Sequence, residues 1–241
     1  MDAQSLYRRC QQAQSARETQ LRLQPDAAMS NAQLALLLDE ALSMVQGRQM
    51  QIVRSRGGRC ELRLTLHYRE GVRMLDAWRN GRTHLLTPEE QSALTAACAV
   101  ACDAAEDDAA GRTRRVYGVV CQMLRYANTA PGRVGYEKLV GAAGALGGGY
   151  ANCQGFSDAF FLIGSIAGLT VRHVSGWRGC VQHMWNAVYI GGEWRYADAS
   201  RGSRLLREGG DAGIVCLRSA AEMRAMGFRW RDEAEKVSNE S

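Results

Sequence analysis

The sequence predicts an α+β protein: a helical N-terminal half, followed by an antiparallel sheet packed on the helix that carries Cys153. One observation is an apolar helix pattern that opens at Cys153 and ends at Gly168; a second is a pair of apolar runs flanking Gly191-Gly192, the signature of a hairpin. The third is helical periodicity with capping residues through much of the chain before residue 147.

With 241 residues, 46% of them hydrophobic, the chain can bury one sizeable core plus a helical extension. The expected organisation is an extension over 1–47 and a main domain over 48–241, its chemistry-bearing core lying in about 113–230.

Taken in order, residues 5–22 are rich in Gln and Arg, with Leu6, Cys10, Ala13, Arg17 and Leu21 at helical spacing, which suggests an exposed or partner-dependent helix. Ser30 or Asn31 caps a second helix, whose stripe of Leu34, Leu37, Leu38, Ala41, Leu42 and Val45 ends at Gly47. Residues 49–55 and 60–68 alternate around Gly57-Gly58, with Leu62, Leu64 and Leu66 on one face, and so form a hairpin. Thr87-Pro88-Glu89-Glu90 supplies a cap, a first-turn proline and acidic charge for a helix to about Ala105. A turn over 107–112, a helix over 113–127 before Pro131 and another from Tyr136 to Leu146 follow. The glycine-rich run 141–149 reads as a mobile wall of a cleft.

Composition removes several function classes. The net charge is +5, yet only Lys138 and Lys236 are lysines and the arginines are scattered, whereas phosphate binding needs basic residues clustered on one face; no nucleic-acid partner is expected. No run approaches the roughly 20 apolar residues of a membrane helix, and no signal-peptide pattern opens the chain, so a membrane partner is not expected either. Of the eight cysteines, one acting as a thiol leaves an odd seven, which fits a reducing compartment with most of them buried as small apolar residues. The expected location is the cytoplasm, or outside the cell if a signal peptide has been removed.

The chemistry concentrates after the glycines. Cys153 stands at the start of its helix, where unpaired N–H groups and the dipole favour the thiolate. Val171 to Trp177 is a strand. If Gly191 and Gly192 make a two-residue loop, paired positions sum to 383, so His183 lies opposite Ser200 and Asp198 becomes its diagonal neighbour. Diagonal neighbours are roughly 7–8 Å apart, within reach of an imidazole–carboxylate bond. Trp185 and Tyr196 share that face and could wall a dry cleft, with Tyr150 and Gln154 beside Cys153 as further cleft candidates; Met184, Asn186 and Val188 point the other way.

Other readings are weaker. Arg56-Gly-Gly-Arg-Cys60 imitates the cysteine motif of arylamine N-acetyltransferases, but Cys60 falls inside a strand without a His and Asp hairpin after it. Cys180-x-x-His183 with His173 lacks the remaining ligands of a zinc site, and Cys98 and Cys102, one helical turn apart, read as core. Glu106-Asp107-Asp108 lacks calcium-loop spacing, and 141–149 lacks the Gly-Lys-Ser/Thr of a phosphate loop. No metal or cofactor is expected.

Cys-x-Gly opening an apolar helix, His-x-Trp-Asn on a strand and Gly-x-Trp-x-x-x-Asp on the next resemble the transglutaminase-like superfamily, within the papain-like fold. The motifs cover about 150–200, and Ser219 to Trp230 resembles the ending of bacterial members. The resemblance implies a Cys153–His183–Asp198 triad that acts on a glutamine carboxamide or peptide amide through a thioester, as a protease, deamidase or transglutaminase on a protein or peptide substrate. A peptide N-glycanase-like amidase shares that chemistry. The competing class is a non-catalytic binding or scaffolding module, whose signature would be an incomplete triad.

Overall fold

The computed structural model describes residues 1–26, 29–54, 60–104, 108–130, 132 and 134–231. The chain divides into two compact units, Met1–Arg69 and Glu70–Ser241. The Gly57-Gly58 turn lies outside the described residues, as do Glu106 and Asp107.

The first unit opens with α1 (Ala3–Ser15), whose Leu6, Tyr7, Cys10 and Ala13 are buried. The helix expected over 5–22 is therefore neither exposed nor that long. Its apolar face is used inside the unit, and a partner would meet only its polar side. Arg17 turns left-handed at φ 55°, and β1 (Gln20–Leu23) follows. The helix α2 (Asn31–Ala41) begins at the expected cap, where Ser30 and Gln33 form a reciprocal capping box. It ends well before Gly47, because Val45 already opens β2 (Val45–Arg54) by pairing with Tyr68. The hairpin is completed by β3 (Cys60–Tyr68), and β1 pairs with β3, Leu21 opposite Leu64, giving the order β1-β3-β2. Pairing with β1 places this hairpin in the first unit rather than with the sequence that follows it. Leu62, Leu64 and Leu66 face the core as expected.

In the second unit, α3 (Glu70–Arg79) has no counterpart among the expected elements; it buries Val72, Met74 and Leu75. The capping box of Thr87 and Glu90 starts α4 (Pro88–Asp103). Next, α5 (Ala109–Met123) begins earlier than 113, because the Asp108 carboxylate accepts from Gly111 N. A short strand β4 (Arg125–Tyr126) pairs in parallel with β5 (Tyr150–Ala151). Between them the glycine-rich stretch is helical, but broken at Gly141 into α6 (Tyr136–Val140) and α7 (Ala142–Gly148), with Gly149 as a left-handed cap.

Two carboxylates satisfy the orphan donors at the start of α7. Asp158 Oδ2 accepts from Ala142 N at 3.0 Å, and Glu70 Oε2 accepts from Ala143 N at 2.6 Å. A Cβ at Gly141 would collide with the Glu70 carboxylate, which explains a glycine at the break.

The helix α8 (Cys153–Ile166) is capped by Asn152 and buries Phe156, Phe160, Phe161, Leu162 and Ile163. It packs on β6 (Val171–Arg178) and β7 (Val181–Ile190), and β7 turns back as β8 (Glu193–Ala197). Then come α9 (Ala199–Arg207), α10 (Ala220–Ala225) and β9 (Phe228–Arg229), the last pairing with β6. The sheet order is β8-β7-β6-β9, antiparallel throughout, against the cysteine-bearing helix. The fold is α+β, as the sequence predicts.

Candidate active site

Cys153 is the first residue of α8, partly exposed, and the Asn152 side chain accepts from Gln154 N and Gly155 N just inside the turn. Position relative to the sheet is set by two bonds across the helix–strand seam. Ser157 Oγ donates to Trp185 O at 3.0 Å, and Asn186 Nδ2 donates to Ser157 O at 3.0 Å.

On the sheet, Ile190 pairs with Glu193 and Asn186 with Ala197, so the register summing to 383 holds from the turn to there. It does not extend to His183 and Ser200. The strand ends at Ala197, and Asp198 caps α9 instead, Oδ1 accepting from Arg201 N at 3.0 Å and from Ser200 Oγ at 2.8 Å. The other carboxylate oxygen lies 2.8 Å from His183 Nε2. Asp198 thus reaches its partner as a helix cap, while its bonds to the cap fix the direction in which it faces.

The side chains of His183 and Asp198 are 10% and 1% exposed. With Nε2 taken by Asp198, Nδ1 is the ring nitrogen left to bond the Cys153 side chain. Burial alone would lower the His183 pKa; the Asp198 carboxylate and then the Cys153 sulfur outweigh it and raise it to about 10. Burial likewise opposes the Asp198 charge, but His183, Arg201 N and Ser200 hold that carboxyl below its ordinary range. The arrangement places an imidazole whose charged form is favoured between a buried carboxylate and the Cys153 sulfur at a helix N-terminus.

Two cleft candidates fall elsewhere. Trp185 and Tyr196 are each 1% exposed and pack with Phe228 and Trp230, on the face of the sheet that carries His183. Trp185 stacks on the imidazole, ring centroids 5.9 Å apart, and Phe228 lies 6.0 Å away on a tilted plane. They brace the histidine rather than line a cleft. Tyr150 and Gln154 are half-buried; Gln154 Nε2 donates to the Tyr136 hydroxyl at 3.2 Å, and Tyr150 edges a separate cavity of about 490 Å³ with Lys138 and Gly144. That cavity's floor is α7, a helix where a mobile wall was expected.

His183 opens onto a second cavity of about 430 Å³, lined also by Tyr126, Ser200, Arg201 and Arg178. The Tyr126 hydroxyl accepts the backbone N–H of Cys153, and burial first, then the nearby sulfur, push its pKa up. Tyr126 and Ser200 carry no motif that would mark them; only the β4–β5 pairing, Tyr126 opposite Ala151, brings the tyrosine to the site.

His173, considered with Cys180 as a ligand, lies on the opposite face of the sheet and bonds Asp158 at 3.1 Å, while Cys180 is exposed. Cys102 is exposed too, and only Cys10 and Cys121 of the eight are fully buried. The chain uses its cysteines less as core filler than composition suggests.

The sequence profile of the transglutaminase-like superfamily matches residues 96–199. No curated protein matches the chain. Among solved structures, a TGase is similar at 13% identity and TM-score 0.40, over 74% of this chain and 50% of its own. A candidate cysteine protease from Cytophaga hutchinsonii is similar at 11% identity and TM-score 0.37, over 65% and 66%. A candidate protease from Parabacteroides distasonis ATCC 8503 follows at 10% and 0.36, over 73% and 39%. The chain spans about half the length of the first of these. Residues 96–199, the stretch that matches the transglutaminase-like superfamily, contain Cys153, His183 and Asp198.

Proposed function

We propose that the protein is a cysteine-dependent acyl-transfer enzyme acting on a glutamine carboxamide or peptide amide. The observation that carries this reading is the chain from the Cys153 sulfur through His183 to the buried Asp198, with the charged form of the imidazole favoured. The reactive form of such a pair carries the proton on the imidazole and leaves the sulfur at the head of α8 as the nucleophile.

The sulfur attacks the carbonyl carbon, and the negative charge passes to the carbonyl oxygen. The Cys153 N–H is the natural donor to that oxygen, and the substrate oxygen replaces the Tyr126 hydroxyl there; the hydroxyl can then turn its own proton to the oxyanion. The carbon–nitrogen bond breaks as the imidazolium protonates the leaving amine, and a thioester remains on Cys153. Water or an amine then attacks the thioester, giving up a proton through His183, and the cysteine is regenerated. Water makes the protein a hydrolase or deamidase; an amine makes it a cross-linking transferase. Asp198 keeps Nδ1 turned toward the sulfur.

The test is alkylation of the folded protein with iodoacetamide, mapped by intact mass and peptide mass, in wild type and His183→Ala. Cys153 should react first in wild type and more slowly in the variant. If another cysteine reacts first and Cys153 is inert, the nucleophile assignment fails.

A further inference from the structure

The cavity beside His183 carries three guanidiniums, Arg178 from the end of β6 and Arg201 and Arg204 one turn apart on α9, and among the described residues no acidic one lines it. Two of them have a partner in Glu208, at 4.0 Å from Arg201 and 3.8 Å from Arg204, but that carboxylate is more than half exposed. A single water-facing carboxylate shared between two arginines is a weak counter-charge. Among the described residues no carboxylate stands within ion-pair distance of Arg178, whose guanidinium carbon sits 5.6 Å from the centre of the Phe228 ring.

Arg201 also occupies the first turn of α9, the end where the helix dipole disfavours a cation. Val181, 68% exposed, and Met226 add apolar surface to the same lining. Such a pocket suits a short methylene stem that ends in a carboxylate, the chemistry that a planar guanidinium fork recognises best.

The geometry points to a specificity subsite for an acidic peptide, in which Arg178, Arg201 and Arg204 hold an Asp or Glu side chain flanking the reacting amide. This rests on Cys153 being the nucleophile and names the substrate class of that same site. A volume of about 430 Å³ is on the scale of one or two amino-acid side chains.

The experiment uses the full chain and three short peptidyl vinyl sulfones that differ only in Glu, Gln or Lys at the flanking position, with iodoacetamide as a neutral reference. The Glu probe should modify Cys153 about tenfold faster than the Gln probe and faster still than the Lys probe, as charge-assisted contacts imply. The Glu/Gln ratio, taken within each protein so that differences in fold cancel, should fall toward one in Arg178→Gln and in the more exposed Arg204→Gln, and in high salt. Equal rates for all three probes with iodoacetamide labelling Cys153 would overturn the subsite and leave the nucleophile standing. An inert Cys153 towards every reagent would overturn both. Protection of Cys153 by a short oligonucleotide at lower concentration than by an acidic peptide would overturn the peptide assignment.

Discussion

The second unit contains two histidine–aspartate pairs, and they differ in what surrounds them rather than in what they are. Asp158 and His173 are 3.1 Å apart, and both side chains are fully buried on the face of the sheet that meets α8. His183 and Asp198 are 2.8 Å apart on the opposite face, with the imidazole slightly exposed and a cavity in front of it. The first carboxylate spends its second oxygen on backbone, accepting from Gly71 N at 2.7 Å and Ala142 N at 3.0 Å, and so ties α3, α7 and α8 to the sheet. The second uses its spare oxygen to cap α9 and leaves the histidine's other nitrogen for a thiol. The same two side chains make a buried strut in one place and a cavity-facing pair beside a thiol in the other, and access and the third partner set them apart.

Substitutions should separate the two. On amide substrates Cys153→Ala should abolish turnover, and His183→Ala should lower it by about 10³-fold or more with the fold retained, the scale of a lost acid–base group. His173→Ala should leave Cys153 alkylation per folded molecule little changed, while costing about 3 kcal/mol in urea unfolding because the buried Asp158 side chain loses its ring partner. Similar losses of alkylation rate in both histidine variants would erase the distinction.

Asp198→Asn should leave residual turnover, about 10²- to 10⁴-fold below wild type, the scale expected if the carboxylate only orients the imidazole. At the strut, Gly71→Ala should destabilise by about 2 kcal/mol, because a Cβ there would lie 2.8 Å from Asp158 Oδ1 and overpack the site.

The pH dependence sharpens the contrast further. His183 has a folded pKa raised to about 10 from an ordinary 6.5, so its stabilising contribution is fully present below pH 6.5 and is lost as the pH rises through about 10. The stability difference between wild type and His183→Ala should therefore shrink across that alkaline window. Asp198 works in the other direction: its depressed pKa gives stability above its ordinary value of 3.8, lost as the pH falls below it. The smallest expected effect is Ser200→Ala, which removes one bond to Asp198 and should cost about 1 kcal/mol, with the Asp198 titration moving up toward its ordinary range.

Within the site, legibility followed the range of the interactions. The β7–β8 register could be read from Gly191-Gly192, because a two-residue turn dictates every pair that follows it while the ladder lasts. Cys153 at a helix start was legible from the apolar spacing after it. The ending of the ladder at Ala197 was not, since Asp198, Ser200 and Arg201 form a cap that competes with strand pairing. Trp185 and Tyr196 share the His183 face as read, yet whether that face meets solvent or core depends on Phe228 and Trp230, far along the chain.

Sequence by itself determined the α+β class, the place of Cys153 at a helix head and the strand register that brings Asp198 near His183, set by local periodicity, caps and one tight turn. Tertiary structure alone decided that Tyr126 meets the Cys153 N–H, that Arg178 and α9 share a cavity, and that Asp158 and His173 became a strut. Those contacts join residues whose separation along the chain carries no periodic signal; they exist because packing α8 on the sheet brings the ends of distant elements to the same place.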